Sequence, residues 1–411
     1  MSFKDLPLNK PLLRAVVESG YTEPTLIQQR CIPHIIEKKD VVASAQTGTG
    51  KTAAFALPIL QLLFDKQDAP KRGKKIRALV VSPTRELAVQ INENFKTYSK
   101  HTNLRSTVIF GGTSIEPQID VLKKGIDILI ATPGRLLDLH KQDYINLDYI
   151  ETLVLDEADL MLDMGFIDDV KKIERLCPED RQTLLFSATI PYKVEQLANS
   201  ILKEPIRVDV TPSKSVATAI NQMLYYVPKR NKMELCLHLL RNTVKGNILI
   251  FRRTKFGVDK LEKTLQKNGY KVDSIHGDKN QSDRQTALNK FKNGYVKILI
   301  ATDVAARGID INELDSVINF DMPNVPDTYV HRIGRTGRAG NVGTAYSLCS
   351  ADEKSYVKKI QESINIQIPV EENHPYPLDP KAKPIVHKKK GSKYKKGRKG
   401  EGSKKKKKRW Y

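Results

Sequence analysis

Ala45-Gln46-Thr47-Gly48-Thr49-Gly50-Lys51-Thr52 follows the apolar pair Val41-Val42 and precedes a helix-forming stretch that starts near Ala53. Close backbone approach at Gly48 and Gly50 lets successive N–H groups surround a β-phosphate, aided by the positive end of the helix. Lys51 then reaches the β- and γ-phosphates, and Thr52 is placed to bind Mg²⁺. The first position is Ala45, where the generic pattern has Gly. A glycine-rich turn with no ligand is the plain alternative. The Gly-Lys-Thr ending between strand and helix argues against it.

Outward from this loop the chain repeats one grammar: short β-branched runs end in small or polar residues, and amphipathic stretches follow. Ile76 to Val81 precedes Ser82-Pro83-Thr84, and Arg85 to Tyr98 reads as a helix. Ser106 to Phe110 runs into Gly111-Gly112, and Ile126 to Ala131 into Thr132-Pro133-Gly134. Thr152 to Leu155 leads to Asp156-Glu157-Ala158-Asp159, and Thr183 to Phe186 to Ser187-Ala188-Thr189. Near-continuous apolar strands alternating with helices predict a parallel α/β sheet covered on both faces.

A second series follows a polar break. Strands are expected at Ile220 to Val227, Asn247 to Phe251, Lys271 to Ile275, Lys297 to Ala301, Ser316 to Phe320 and Gly343 to Leu348. The predicted organisation is a first domain over 1–210, a linker at 211–217 and a second domain over 218–367. A basic tail at 368–411, too poor in apolar residues to fold alone, is expected to be disordered.

Asp156 and Glu157, placed directly after a buried-looking strand and paired with the phosphate loop, point to nucleoside triphosphate hydrolysis. Asp156 would hold Mg²⁺ through water, and Glu157 would orient and deprotonate the attacking water. In the second series, His331-Arg332-Ile333-Gly334-Arg335-Thr336-Gly337-Arg338 sets three arginines at three-residue spacing. Buried guanidiniums need partners, and phosphates supplied across a domain cleft would satisfy them. A solvated basic turn is the alternative.

The formal net charge is +22 over 411 residues. Lys381 to Tyr411 alone carries +15, leaving +7 for the rest. Such a balance favours an anionic partner without naming it. Cys31, Cys177, Cys236 and Cys349 are too dispersed for a disulfide framework or a thiolate zinc site, which fits a reducing cytoplasm. No run approaches the ~20 apolar residues of a membrane span, so a soluble cytoplasmic protein is expected.

From residue 3 to residue 350 the ordered motifs resemble those of a DEAD-box RNA helicase of superfamily 2, and are most similar to the bacterial RhlE group. The resemblance implies two tandem RecA-like domains, use of ATP and Mg²⁺, and an RNA-dependent ATPase that unwinds short duplexes or remodels RNA–protein complexes. Gly20-Tyr21-Thr22-Glu23-Pro24-Thr25-Leu26-Ile27-Gln28 matches the adenine-reading motif. It implies a hydrogen bond from Gln28 to the base and stacking by the upstream Phe3. Ala45 to Thr52 is the implied phosphate loop, including Gln46, Thr47 and Thr49, and Asp156 to Asp159 the implied metal and water site. Ser187 and Thr189 are implied to couple hydrolysis to strand separation. In Ala301-Thr302-Asp303-Val304-Ala305-Ala306-Arg307-Gly308-Ile309-Asp310, Asp303 and Arg307 are implied at the closed interface and Gly308 and Asp310 near the nucleotide. Arg335 and Arg338 are the implied arginine fingers, with His331 in the interdomain network.

Implied RNA contacts fall on Pro83, Thr84, Arg85, Gly111, Gly112, Thr132, Pro133, Gly134 and Arg135. In the second domain they fall on Arg252, Thr254, Gly277, Gln281, Arg284 and Thr302. These groups suit phosphate and ribose, which implies sequence-independent binding with 2′-OH discrimination. Leu160 after the tetrad, where RhlE-like proteins usually carry Arg, and the basic Phe251-Arg252-Arg253-Thr254 depart from the common pattern. A monomer acting on pre-ribosomal particles or in RNA decay fits the resemblance. An RNA clamp, a DNA translocase and a scaffold with a vestigial nucleotide site are the rival readings.

Overall fold

The computed structural model describes residues 2–45, 48–65, 75–210, 220–306, 311, 314–337, 343–379 and 381–382. Seven strands form the first sheet: β1 (Val41–Ser44), β2 (Ala78–Val81), β3 (Ser106–Ile109), β4 (Ile128–Ala131), β5 (Thr152–Asp156), β6 (Gln182–Ser187) and β7 (Ile206–Asp209). Their order is β3-β4-β2-β5-β6-β1-β7, and every pair is parallel. Six more form the second: β8 (Asn221–Tyr226), β9 (Ile248–Phe251), β10 (Val272–Ile275), β11 (Ile298–Ala301), β12 (Ser316–Asn319) and β13 (Thr344–Cys349). They are also parallel, in the order β10-β11-β9-β12-β13-β8. Two α/β domains with helix-covered parallel sheets therefore stand as the sequence pattern predicts.

The inner strands of the first sheet are buried throughout, because helices cover both faces. The helix Arg85–Tyr98 shows how. Thr84 Oγ1 accepts from Leu87 N at 3.3 Å to cap it, and Leu87, Ala88, Ile91, Phe95 and Tyr98 recur at three- and four-residue spacing to enter the core. Two of the first domain's apolar clusters lie on opposite sheet faces. All four cysteines are buried and free. Among the described residues no helix is long and apolar enough to cross a membrane.

Strand boundaries differ from the expected ones by one or two residues, and β7 was not expected at all. Its burial alternates along Ile206-Arg207-Val208-Asp209. An edge strand covered on one face carries no continuous apolar run.

Residues 368–379 correct the expectation of disorder from 368 onward. Leu224 N donates to Pro369 O at 2.8 Å, Glu371 N to Leu224 O at 2.9 Å, and Leu378 N to Tyr226 O at 3.0 Å. Ile368 is buried, and Tyr376 packs on the second-domain core. The segment runs as a strap along the open edge of β8. The expected linker at 211–217 lies outside the described residues, as do residues 380 and 383–411 of the tail.

Candidate nucleotide pocket and polynucleotide cleft

In both sheets parallel pairing brings all strand carboxyl ends to one edge, where ligand crevices form in this architecture. At that edge of the first sheet, β1 delivers the phosphate loop between β5 and β6 on one side and β7 on the other. Ala45 N donates to Ser187 O at 3.0 Å, tying the loop's start to β6. Gly48 and Gly50 adopt left-handed φ of 85° and 92°. A Cβ on Gly50 would overlap Gln28 Nε2 and sit 3.0 Å from Thr25 Oγ1. The loop can take this shape only with glycine there. Gln46 and Thr47 lie outside the described residues.

Lys51 opens the helix Lys51–Asp65 and is 6% exposed. Its Nζ donates to Glu157 Oε1 at 2.7 Å. Burial works against the ammonium charge, but Glu157, Asp156 and Asp159 outweigh it and hold the lysine pKa above its ordinary value. Glu157 stands in a left-handed conformation, φ 55° and ψ 54°, at the turn from β5 into the helix Ala158–Asp163. Such strain in a non-glycine residue persists only where the surroundings enforce it.

Asp156 ends β5 beside this pair. Its Oδ1 is buried without a hydrogen-bond partner. Burial, then the Glu157 carboxylate, push its pKa up. An orphaned buried carboxylate oxygen one residue from Glu157, with Thr52 half-buried at the helix start, is an all-oxygen donor set that fits a hard divalent cation.

The third acid of the tetrad is bound to the end of β6. Asp159 N donates to Ser187 Oγ at 3.1 Å, and Ser187 Oγ donates to Thr189 O at 2.6 Å. Thr189 N and Oγ1 donate to Asp159 Oδ2 at 3.1 and 2.9 Å. Burial raises the Asp159 pKa, but Lys51, His331 and the two hydroxyls overcome it, for a net lowering. His331 belongs to the second domain. Its influence on Asp159 therefore crosses from one lobe to the other.

Expected adenine contacts are differently arranged. Gln28 is 4% exposed; its Oε1 accepts from Thr25 N at 2.9 Å, and its Nε2 donates to Gly50 O at 3.2 Å. Both ends of the amide are thus engaged by the protein. Phe3 is 5% exposed and stacks on Tyr21 with ring centroids 6.3 Å apart. In this conformation it is a core aromatic, because it anchors the N-terminal segment together with Leu6 and Leu8.

In the second domain Arg335 is buried beside Asp303 and His331 in a small cavity. Arg332 corrects the reading of three phosphate-seeking guanidiniums. It donates to Asp303 Oδ1 and Oδ2 at 2.5 and 2.9 Å, to Asn319 Oδ1 at 3.1 Å and to Asp321 O at 2.6 Å. Its charge is satisfied inside its own domain, and Asp303 is the partner. Arg307, Gly308, Asp310 and Arg338 lie outside the described residues.

A cleft of about 600 Å³ separates the two lobes and gathers most of the expected RNA contacts. Pro83, Thr84, Arg85, Gly111, Thr132, Gly134 and Arg135 line it from the first domain, Gly277 and Arg284 from the second. The left-handed Gly112 permits close approach of the Arg85 guanidinium, which a Cβ would overlap. Pro133 is buried at the start of the helix Pro133–Lys141. Burial, then Arg284, depress the Arg85 pKa, with Arg135 acting in the same direction. The guanidinium atoms Arg135 Nη1 and Arg284 Nε are buried without hydrogen-bond partners. Crowded, undersatisfied cations suit a polyanion.

Glu86, next to Arg85 in the same motif, joins the lobes. Gln281 Nε2 donates to Glu86 Oε1 at 3.0 Å, and Arg284 Nη2 pairs with the same oxygen at 3.0 Å. Arg85 Nη1 donates to Gln281 Oε1 at 3.4 Å. Met164 and Phe166 also line the cleft; being apolar, they gave no motif signal. Besides Gln281, three of the second domain's expected contacts stand outside this lining. Arg252 turns into its domain, over the Phe320 ring at 4.1 Å and 3.3 Å from Asp321, with its Nε buried and without a hydrogen-bond partner. Thr254 caps the next helix, and Thr302 is half-buried at the end of β11.

A phosphate loop facing paired acids, with a second parallel-sheet domain bringing cations to the same crevice, defines a two-domain nucleotide-driven enzyme of polyanions. Residues 25–197 match the family model for the DEAD/DEAH box helicase and residues 231–340 that for the helicase conserved C-terminal domain. The chain is similar to the DEAD-box ATP-dependent RNA helicase RhpA of Helicobacter pylori, at 42% identity over 367 residues covering 89% of this chain and 73% of that protein. Among solved structures it resembles Mss116p bound to ssRNA and AMP-PNP, with a TM-score of 0.83 at 30% identity, covering 91% of this chain and 80% of that one. A DEAD box protein from the hyperthermophile Methanococcus jannaschii superposes with a TM-score of 0.52 at 38% identity, covering 90% and 99%. The chain belongs to the DEAD-box ATP-dependent RNA helicases, and its sheets are the RecA-like domains of that family. The names of these relatives do not single out the RhlE group.

Proposed function

We propose that this helicase separates short RNA duplexes locally, through closure of the two lobes on ATP and one RNA strand. The buried Lys51–Glu157 pair, at 2.7 Å, carries the reading. Lys51 occupies the carboxylate that would act as base; a triphosphate in the loop offers Lys51 its own oxygens instead. Glu157 is then released to accept a proton from the attacking water. Arg335 would meet the developing charge from the other lobe, together with Arg338, and Lys51 would hold the β- and γ-phosphates. Thr52 and, through water, Asp156 are the residues that would hold Mg²⁺, which when bound neutralises phosphate charge. Adenine recognition by Gln28 would require exchange of its bonds to Thr25 and Gly50. Phe3 would stack on the base only by exposing a face now turned to Tyr21.

The Asp159–Ser187–Thr189 network, with His331 opposite, supports a coupling role for Ser187, Thr189, Asp303 and His331. The chain superposes better on the RNA- and AMP-PNP-bound relative than on the M. jannaschii protein, which supports RNA held across the cleft. Sequence-independent contacts and a basic tail suit work on many RNAs, and ribosome assembly or RNA turnover in the cytoplasm is the setting we infer.

Glu157→Gln tests the reading. RNA-stimulated phosphate release is expected to fall by roughly 10²- to 10⁴-fold, with nucleotide binding retained. Unchanged release would show that the base lies elsewhere.

A further inference from the structure

Phe256 is 77% exposed. Of the chain's 11 phenylalanines the other ten are buried or half-buried. Its position in the helix Lys255–Lys267 explains why it cannot reach the core. That helix buries Gly257, Val258, Leu261 and Leu265, and Phe256, two residues before Val258, falls about 200° around the helix from it. The ring is therefore held away from its own domain by a regular element.

The element is also fixed in place. Thr254 Oγ1 accepts from Gly257 N at 3.1 Å, and Arg252 packs so close that a Cβ on Gly257 would lie 2.6 Å from its Nη2. Lys255 Nζ pairs with Asp278 Oδ2 at 2.6 Å, and Asp259 Oδ1 meets His276 Nε2 at 2.8 Å. His276 and Asp278 flank Gly277, which lines the cleft. The start of this helix is thus tied, through Lys255, to the residue next to the cleft-lining Gly277.

An isolated exposed apolar side chain needs no explanation by itself. This one directly follows Lys255, whose side chain is 61% exposed and paired with Asp278, while the Arg253 guanidinium is held inside the domain by Glu353 Oε1 and Met322 O. Polar and charged neighbours leave no apolar patch wide enough for a protein partner. A single aromatic face beside a lysine matches a nucleobase and an adjoining phosphate. We propose that Phe256 stacks on a base of the bound RNA strand beside Gly277, with Lys255 exchanging Asp278 for an adjoining phosphate. The inference rests on the RNA-helicase reading of the cleft.

Phe256→Leu keeps an apolar group of similar reach but removes the π-face, whereas Phe256→Tyr keeps it. Phe256→Leu is expected to raise the KM for RNA in the ATPase assay by about tenfold, and Phe256→Tyr to restore it. Wild-type KM in Phe256→Leu would overturn the stacking role. A second readout uses the chain's single tryptophan, Trp410. In a Trp410→Phe background, Phe256→Trp should be quenched by a short oligoadenylate in the presence of AMP-PNP. Absence of quenching while the labelled oligonucleotide binds by anisotropy would refute the proposal. If the wild-type protein neither binds that oligonucleotide nor shows RNA-stimulated ATPase, the RNA reading itself fails.

Discussion

Gly50 concentrates several demands in one residue. Its φ of 92° lies where an L side chain is strained, and the space a Cβ would fill belongs to the Gln28 amide. Gly50→Ala is expected to weaken nucleotide binding at least about tenfold, since both the loop and its support must shift. Gly269 has a similar φ of 84° but open space around it. Gly269→Ala should lose stability of about 1 kcal/mol with nucleotide affinity intact, as titration with a fluorescent ATP analogue will show. Ser187 makes a different point. Its hydroxyl joins Asp159 N to Thr189 O, so Ser187→Ala leaves a buried N–H unpaired, at about 1–3 kcal/mol. Duplex release measured beside ATP turnover should fall further than turnover itself. Equal losses would place Ser187 in the chemistry instead of the coupling.

At the scale of elements, the strap of residues 368–379 is the clearest case of tertiary context deciding order. β8 ends the second sheet, and an uncovered edge invites pairing with another chain. The strap occupies that edge through Leu224 and Tyr226, while Pro369, Pro375 and Pro377 keep it from extending a full ladder. Truncation after Ile366 removes the buried Ile368, contributing about 1.5–3 kcal/mol, and the half-buried Tyr376 packed on the core. Thermal unfolding should shift down and light scattering should report association at high concentration. A monodisperse truncation of unchanged melting temperature would remove the strap's structural role. The strap was illegible in the sequence because it is rich in proline and charge, and its order is set by the partner it lies on.

Across the whole molecule, charge divides by location. The last 31 residues carry +15 of the +22, whereas the cleft presents a few arginines, of which Arg284 is paired with Glu86. The two should act differently on RNA. Truncation after Pro380 is expected to raise the KM for RNA and flatten its dependence on salt, leaving RNA-saturated turnover near the full-length value. A collapse of kcat would contradict that division. Closure is likewise a property of the whole. Arg85, Gln281, Glu86 and Arg284 meet only because two sheets, far apart in sequence, face each other across one cleft.

By itself the sequence determined the two parallel α/β lobes, the phosphate loop, the paired acids and the family. These depend on short-range patterns: apolar runs of strand length, glycines where φ turns positive, and acids at a strand's end. Tertiary structure alone decided which charges were already satisfied. Arg332 and Arg252 are engaged within their domain, Glu86 bridges the lobes, and Gln28 supports the loop. Such pairings join residues tens to hundreds of positions apart, and whether a charge keeps its partner or awaits a ligand depends on burial and distance that no local pattern encodes.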